Sequence, residues 1–400
     1  MLFLLVGCVS CERAPTSAGR SLADDVEFIG AEPHLARADD GTVVLSWLEP
    51  DDDAVALRFA TRRDGEWGLP QTVSHGDRWF VNWADFPSVS PIRGDLWAAH
   101  WLVKRPGGTY AYDVAIALST DGGQHWDSPI TPHTDGTRTE HGFVTLFPWQ
   151  DRVGALWLDG RQMAEEHAGT DTHGGGMTLR SAQLNASGDI DAGHLVDELV
   201  CDCCQTDVAI AADGPVAVYR NRTSAEIRDI YVARHVATDG WQPGIPVAND
   251  DWEISGCPVN GPAIVADGRN VAVAWFTAAN GEPRVRAARS EDGGARFTSA
   301  IDVDTDSPIG RVDIDMLDTE SIVVSYLAKS ADGGGEVVAQ AIAGDGTLGI
   351  RRVVARTATS RSAGFPQMIR QGDELVFAWT DTPDERSRVR TATIAVDAFR

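Results

Sequence analysis

Positive charge is scarce in this sequence. The 400 residues include 34 lysines and arginines against 59 aspartates and glutamates, which gives a formal net charge of −25. Sequence-independent binding to nucleic acid needs clustered basic residues that neutralise phosphates, so no nucleic-acid partner is expected. Anionic membrane surfaces are disfavoured for the same reason. The composition is typical of an exported protein whose acidic surface keeps it soluble.

Long apolar runs and several familiar catalytic motifs are also missing. Residues 1–8 are apolar but too short to span a bilayer, and no other segment qualifies. The sequence has no G-x-S-x-G, no Walker loop and no H-E-x-x-H, so it gives no support for the corresponding hydrolase, nucleotide and zinc sites. Helical periodicity is nowhere sustained, which favours an all-β chain.

A strand pattern repeats along almost the whole chain. Short β-branched runs each end on a large aromatic residue, and these residues lie 51 to 62 positions apart: Trp47, Trp101, Trp157, Tyr219, Trp275, Tyr326 and Trp379. One apolar, strand-rich unit per period of about 55 residues is typical of the blades of a β-propeller. We therefore predict one seven-bladed propeller domain over residues 22–400, preceded by a flexible tether over residues 1–21.

The two ends of the chain are expected to close the ring. The last repeat contains three strand-like segments, whereas residues 25–29 form a strand that belongs to no repeat of its own. Pairing of residues 26–29 with residues 391–396 completes the last blade and leaves no unpaired edge. The segments that lead into each repeat are expected to become the innermost strands, and ligands of propellers usually bind where these segments meet the central channel.

Two hairpin turns carry the same motif, S-x-D-x-G-x-x-aromatic. The first copy consists of Ser119, Asp121, Gly123 and Trp126, and the second of Ser290, Asp292, Gly294 and Phe297. The motif resembles the Asp-box of sialidases and other bacterial neuraminidase-repeat propellers. The resemblance implies the propeller fold, with six blades as in sialidases as the alternative count, and places the boxes on the face opposite the active site.

The N-terminal apolar run ends in Leu-Val-Gly-Cys, which resembles a bacterial lipobox. The resemblance implies that the segment before Cys8 is removed and that Cys8 carries lipid, provided that a longer natural start supplies the basic region. The expected location is the bacterial cell envelope, periplasmic or at the outer membrane, with the membrane reached only through this lipid anchor.

Four cysteines lie in the segments that lead into the fourth and fifth repeats: Cys201, Cys203, Cys204 and Cys257. Neighbouring blades bring these segments together. In an exported protein disulfide bonds are the first interpretation, with Cys257 joined to one of the other three, but the sequence does not decide which. A soft-metal site for copper or zinc is the alternative, because thiolates spaced C-x-C-C can face one point.

Candidate ligand-binding residues gather on the same predicted face. The third repeat has a long insertion over residues 160–176 that contains Arg161, His167 and His173. Further candidates follow the second strands or precede the first strands of other repeats: Arg220, Arg222, Arg311, Asp85 and His141. Guanidinium groups that converge on one point hold a carboxylate through paired hydrogen bonds.

The sequence thus predicts that the protein binds a ligand at the channel mouth near the cysteine-rich segment of the fourth blade. The partner is a glycan, a small molecule or an envelope protein. The resemblance implies an alternative, a sialidase-type glycoside hydrolase that holds its substrate through three arginines beside a Tyr/Glu nucleophile. The family's aromatic-Arg-Ile-Pro run is missing, and Tyr110, Tyr112 and Tyr231 lack an evident glutamate partner. Soft-metal binding and an envelope-assembly scaffold complete the alternatives.

Overall fold

The computed structural model describes residues 24–163, 176–191, 193–383 and 386–400. They form seven antiparallel sheets around a central channel, as a seven-bladed β-propeller. Three short 3-10 segments lie between the strands or at the end of the chain: Ala279–Gly281, Arg361–Ala363 and Val396–Phe399. No described helix is long and apolar enough to cross a membrane.

The first four blades follow the order of the chain. Blade 1 contains β2 (Ala31–Arg37), β3 (Val43–Asp51), β4 (Ala54–Arg63) and β5 (Glu66–Trp67), with β6 (Gln71–Gly76) also on β4. Blade 2 contains β7 (Ser88–Arg93), β8 (Leu96–Lys104) and β9 (Tyr112–Ser119). Blade 3 contains β10 (His141–Trp149), β11 (Arg152–Asp159), β12 (Met177–Leu184) and β13 (His194–Val200). Blade 4 contains β14 (Asp207–Ala211), β15 (Gly214–Arg220), β16 (Ile230–Val236), β17 (Gly240–Trp241) and β18 (Ile245–Pro246).

The remaining three blades close the ring. Blade 5 contains β19 (Ala263–Asp267), β20 (Asn270–Thr277), β21 (Arg284–Ser290) and β22 (Ile301–Asp304). Blade 6 contains β23 (Pro308–Met316), β24 (Ile322–Lys329), β25 (Gly335–Ile342) and β26 (Leu348–Thr357). Blade 7 contains β27 (Gln367–Gln371), β28 (Glu374–Asp381) and β29 (Arg388–Ala395), and its outermost strand is β1 (Asp24–Ile29).

The aromatic repeat marks the second strand of every blade, as the sequence predicts. All seven of these aromatic side chains are at most 4% exposed, and they pack in the clusters between neighbouring sheets. Burial of one such ring per blade excludes water between the sheets and contributes to the stability of the ring.

The N-terminal strand closes the ring on the last blade. Glu27, Phe28 and Ile29 pair antiparallel with residues 388–390 of β29, so the predicted partner strand is confirmed and its register lies slightly N-terminal of the predicted segment. Phe28 stacks on Trp47 of blade 1 at 4.4 Å between ring centroids. The N-terminal strand thus joins blade 7 to blade 1.

Blade 2 departs from the predicted four strands. Residues 127–139 run where a fourth strand is expected. They contact β9 through an isolated bridge between Ile116 and Ile130 and through single hydrogen bonds, such as that from the Asp127 N–H to the Leu118 carbonyl oxygen at 2.8 Å, rather than through a regular ladder. Pro129 and Pro132 lie in this stretch, and because proline has no N–H to donate, a regular ladder cannot continue through them. The irregular stretch carries polar residues to the edge of blade 3.

The two S-x-D-x-G turns have the same internal geometry. In the first, the N–H of Gly123 donates to Ser119 Oγ at 2.9 Å and the N–H of His125 donates to Asp121 Oδ1 at 2.9 Å. The second copy repeats both bonds around Ser290 and Asp292. Gly123 has a φ of 85°, a conformation that glycine adopts without strain. These turns join the third strand to the following segment, on the face opposite the ends discussed below.

Candidate functional site

An aromatic cluster, here called the plug, lies at the end of the channel where the first strands begin, here called the top. Trp83, Phe86 and Phe365 come from the segments that lead into blades 2 and 7. The ring centroids of Trp83 and Phe365 are 5.7 Å apart and nearly parallel, and Phe86 lies 5.7 Å from Phe365. Phe143 packs in the same cluster. The plug forms an apolar floor at the mouth of the channel.

Two arginines border this floor. The guanidinium of Arg311 lies 4.8 Å from the centre of the Trp83 ring and donates to the carbonyl oxygens of Ser360 and Gly364. Arg361, which is exposed, lies 5.8 Å from the same ring. Burial lowers the pKa of Arg311 to about 10, so this group stays charged at neutral pH. The mouth therefore combines aromatic faces with guanidinium donors.

Hydrogen bonds from polar side chains connect neighbouring blades around the mouth. Asp85 Oδ1 of blade 2 accepts the N–H of Phe143 in blade 3 at 2.7 Å, and Asn260 Oδ1 of blade 5 accepts the N–H of Arg311 in blade 6 at 2.7 Å. Phe143 and Arg311 have φ values of 52° and 55°, so each bond holds a residue in the uncommon left-handed conformation. Asp85, predicted as a ligand-binding residue, is thus an inter-blade link.

The four cysteines of the mouth form two disulfides, Cys201–Cys204 and Cys203–Cys257. The disulfide interpretation is confirmed, and the partner of Cys257 is Cys203. A copper or zinc site needs free thiolates, and here the four sulfurs are joined in two disulfide pairs. The second bridge ties the segment leading into blade 4 to the segment leading into blade 5, beside the plug.

Loss of the inter-blade disulfide should destabilise the protein more than loss of the local one. Cys203 and Cys257 are 54 residues apart, whereas Cys201 and Cys204 are 3 apart. In the chain-entropy view, the C203S/C257S variant should lose about 2–4 kcal/mol of unfolding free energy, and C201S/C204S about half as much. Urea denaturation of both variants measures this difference, and equal losses would contradict it.

The arginines expected to converge on one ligand are held by separate partners. Arg220 is 2% exposed and donates to the carbonyl oxygens of Arg228, Asn260 and Phe276, so it fastens blades 4 and 5. Its guanidinium also lies 4.8 Å from the ring of Trp252. The prediction that Arg220 binds a ligand is therefore replaced by a structural role, because burial leaves it no access to solvent.

Arg222 belongs to a half-buried ionic network at the top of blade 4. Its guanidinium lies 3.0 Å from Asp202 Oδ2 and 2.7 Å from Glu226 Oε1. Arg228 lies 2.8 Å from Glu226 and 3.6 Å from Cys201 Sγ. The structure thus brings Arg222 together with the cysteine-rich segment, as the sequence predicts for one shared face.

Tyr112 has the glutamate partner that sequence reasoning missed. Its hydroxyl donates to Glu140 and lies 3.1 Å from Asp85 Oδ2. Burial raises the pKa of Glu140 to about 8 and that of Asp85 to about 7, so at pH 7 Glu140 is largely protonated and Asp85 about half protonated. Tyr112 itself is fully buried. No spacing signal connects residues 112 and 140, because the irregular fourth segment of blade 2 separates them.

A histidine–aspartate cluster lies between blades 2 and 3. His141 Nδ1 donates to the carbonyl oxygen of Tyr112 at 3.3 Å, and its Nε2 faces Asp135 Oδ2 at 3.2 Å and Asp159 Oδ1 at 3.8 Å. The ring of His133 stacks on that of His141 at 3.8 Å. Sequence reasoning selected His141 but missed His133, Asp135 and Asp159, although the short run of residues 133–135 in an irregular segment was a visible signal.

Arg161 completes this cluster. Its Nε donates to Asp159 Oδ1 at 2.7 Å and its Nη2 to Asp159 Oδ2 at 2.6 Å, with Asp135 Oδ2 at 3.3 Å. Two sets of three side chains have ligand atoms within 4.8 Å of one another: Asp113, His133 and His141, and Asp135, His141 and Asp159. A cation at the second set would compete with Arg161, which already neutralises its carboxylates.

Buried carboxyl groups line the channel, which encloses about 460 Å³. Asp207 Oδ2 accepts the N–H of Ile264 at 2.9 Å, and Asp313 Oδ2 accepts the N–H of Met368 at 2.7 Å. Burial raises the pKa of Asp207 to about 6 and that of Asp313 to about 8. These side chains are inter-blade links like Asp85, and of the two only Asp313 is mostly neutral at pH 7.

The raised pKa values predict that stability falls as pH increases from 6.5 to 8. Asp313, Glu140, Asp85 and Glu32 have folded-state pKa values of about 8, 8, 7 and 7. Over this interval the folded state binds more protons than the unfolded state, so the free energy of unfolding decreases with pH. Asp313 alone should contribute about 1–2 kcal/mol of this loss.

Buried histidines act in the opposite direction, an effect that is small above pH 7 and grows as the pH falls. Burial lowers the pKa of His34 and His133 to about 4 and that of His100 to about 3, so below pH 6.5 their protonation favours the unfolded state. Urea denaturation at pH 6.5, 7.25 and 8 tests the upper interval. D313N should have a shallower slope than the wild type, and the exposed-site control D345N an unchanged one. A stability that rises over this interval would contradict the account.

Three predicted residues lie outside the described part of the chain. Cys8, His167 and His173 belong to residues 1–23 and 164–175, about which the structure says nothing. Lipid attachment at Cys8 and ligand binding by the two histidines therefore stay predictions. The described ends of the third-blade insertion lie on the top: Met177 donates its N–H to Asp202 at 3.3 Å.

Comparison with known proteins supports the propeller fold but identifies no family for this chain. No family model and no curated protein sequence matches the chain. A lectin from Burkholderia pseudomallei, BP39L, superposes with a TM-score of 0.59 at 11% identity, covering 92% of this chain and 97% of the lectin. The polysaccharide lyase Uly1 superposes with a TM-score of 0.52 at 11% identity, covering 98% of this chain and 94% of the lyase. At such low identity the likeness shows the propeller fold alone.

Proposed function

We propose that this protein binds a saccharide at the mouth of the channel, with a sugar ring stacked against Trp83. The observation that carries the proposal is the position of Trp83, which is half-buried in the plug and remains partly open at the top. Its indole N–H has no hydrogen-bond partner among residues 24–163, 176–191, 193–383 and 386–400. A ligand at the mouth thus meets an aromatic face and a donor together.

The chemistry of the mouth suits a saccharide. Binding sites for small molecules combine apolar, aromatic walls with a few placed polar groups, and a sugar ring offers an apolar face of C–H groups edged with hydroxyls. Trp83 supplies the flat face, and Arg361 supplies an exposed guanidinium 5.8 Å from it. The Cys203–Cys257 bridge and the Asp85–Phe143 link hold the surrounding backbone, which reduces the entropy lost on binding.

The structural neighbours support the same class of ligand. One is named as a lectin and the other as a polysaccharide lyase, and both share this fold. Fold likeness alone does not assign a function. The proposal therefore depends on Trp83 and its surroundings, and the neighbours direct the choice of the first ligands to test.

A glycan array followed by titration of the best-bound saccharide tests the proposal. W83A should weaken binding about 30-fold, because about 2 kcal/mol of apolar contact is lost. W83F, which keeps a ring and loses the N–H, should fall between W83A and the wild type. Y110A removes an exposed ring outside the plug and serves as the matched control.

Two results would contradict the proposal. One is an array on which the folded wild type binds no saccharide, including the case in which a protein partner is its only ligand. The other is a saccharide bound equally well by W83A and the wild type. Melting temperatures of all variants show whether each is folded, since Trp83 also packs on Phe365.

A sialidase-type hydrolase is the second candidate, and one observation favours it. Tyr112 and Glu140 form the tyrosine–glutamate pair that such chemistry requires, with Asp85 as a partly protonated acid beside them. Against it, Tyr112 is fully buried, and Arg161, Arg220, Arg222 and Arg311 have separate partners. Cleavage of a fluorogenic sialoside by the wild type and its loss in Y112F would establish the hydrolase, whereas no cleavage by the wild type rejects it.

A further inference from the structure

A small basic notch lies between blades 2 and 3, apart from the channel mouth. It encloses about 160 Å³ and is lined by His133, Trp157, Arg161, Arg180 and His194, among others. None of the plug residues Trp83, Phe86 or Phe365 lines it. Two guanidinium groups therefore share one concave site in a chain whose formal net charge is −25.

Arg180 is one of the two arginines that line the notch. It lies on β12 opposite Trp157 and is half-buried. Within the described part of the chain its side chain has no hydrogen bond and no ion pair, and its Nε atom is buried without a partner. Burial lowers the pKa of Arg180, and so does the nearby charge of Arg161, while the carboxylates of Asp159 and Asp135 raise it without bonding to it. A charged group that is desolvated without a partner is costly to the folded state.

The carboxylates around the notch are already engaged. Asp159 accepts two bonds from Arg161 and one from the Trp157 indole at 2.8 Å. Asp135 faces His141 at 3.2 Å and Arg161 at 3.3 Å. Asp191 lies 3.2 Å from His194 Nε2 and accepts two backbone N–H groups. Each of these three carboxylates is therefore bonded to or paired with a group other than Arg180.

We propose that the notch binds a small oxyanion, a carboxylate or a sulfate, through Arg180. A carboxylate and a sulfate each present a pair of oxygens that matches the fork of a guanidinium group and forms paired, charge-assisted hydrogen bonds with it. Such an anion supplies the partner that Arg180 lacks, and the apolar ring of Trp157 forms one wall of the site. The anion is either free or carried by an acidic saccharide, and the chemistry of recognition is the same.

Thermal unfolding with four additives tests the proposal: sodium sulfate, sodium glucuronate, glucose and sodium chloride at matched ionic strength. Sulfate, glucuronate or both should raise the melting temperature of the wild type above that in chloride or glucose, because an anion that binds only the folded state stabilises it. A rise with sulfate identifies a free oxyanion, and a rise with glucuronate alone identifies an acidic sugar.

Variants separate binding from the general stabilising effect of sulfate. R180Q should bind the active anion about tenfold more weakly or worse, while its stability in chloride equals or exceeds that of the wild type, because an unpaired charge has been removed. R152Q, at the exposed first residue of β11 in the same blade, should respond to anions like the wild type. W83A should also keep the anion response, so failure at the mouth and failure at the notch are distinguishable.

Three results would overturn the proposal. They are a wild type that no anion stabilises beyond chloride, an R180Q variant that keeps the full anion response, and an R180Q variant that is less stable than the wild type in chloride. The last result would show that Arg180 supports the fold through contacts within the chain.

Discussion

A chain that begins at residue 31 should lose at least about 5 kcal/mol of unfolding free energy, or fail to fold, because it lacks the strand that closes the ring. Phe28 is 9% exposed and stacks on Trp47, whose indole N–H donates to the Ile29 carbonyl oxygen at 3.1 Å. Removal of a buried phenylalanine side chain alone costs about 3–5 kcal/mol. The deletion also exposes the edge of β29 and separates blade 7 from blade 1.

A chain that begins at residue 24 is the matched control. It lacks the same preceding residues but keeps the whole of β1, so its stability should equal that of the full chain within error. Urea denaturation of the two truncated proteins measures the difference directly. Equal midpoints for the chains beginning at residues 24 and 31 would show that the N-terminal strand does not hold the ring.

The second large effect is expected at Arg220. The R220M variant should lose about 5 kcal/mol of unfolding free energy. The methionine fills much of the volume but leaves the carbonyl oxygens of Arg228, Asn260 and Phe276 without their donor. Each lost hydrogen bond to a charged group costs about 1.5–3 kcal/mol. R220K should recover only part of the loss, since one ammonium cannot reach three carbonyl groups in the geometry of a guanidinium.

An exposed arginine provides the contrast. Arg296 has a side chain that is 88% exposed and pairs with Asp292 at 2.9 Å, so R296M should change stability by less than about 0.5 kcal/mol. Denaturation curves for R220M, R220K and R296M give the three values. A change at Arg220 no larger than that at Arg296 would contradict its role as a link between blades 4 and 5.

The fold could be predicted from the sequence because every blade of a propeller repeats the same packing pattern. A buried aromatic residue recurs on each second strand, from Trp47 to Trp379, and the S-x-D-x-G turns repeat their glycine conformations at Gly123 and Gly294. Closure by residues 24–29 followed from counting strands. These features depend on local patterns, which a sequence displays directly.

The site was harder to predict from the sequence because it depends on contacts between segments that are distant in the sequence. Tyr112 meets Glu140 only because blade 2 lacks a regular fourth strand. Arg220 was predicted to bind ligand, since sequence cannot show that its guanidinium meets three carbonyl groups of the adjoining segments. The choice of Cys203 as the partner of Cys257 likewise depends on how two loops meet in space.

The crystal structure of the protein with its best-bound saccharide is the most direct test of the proposed mouth. A sugar ring should lie against Trp83 with a hydroxyl group within hydrogen-bond distance of Arg361 or of the Trp83 indole N–H. A saccharide bound on the opposite face, near the turns of Asp121 and Asp292, or along the outer edges of the blades, would contradict the account.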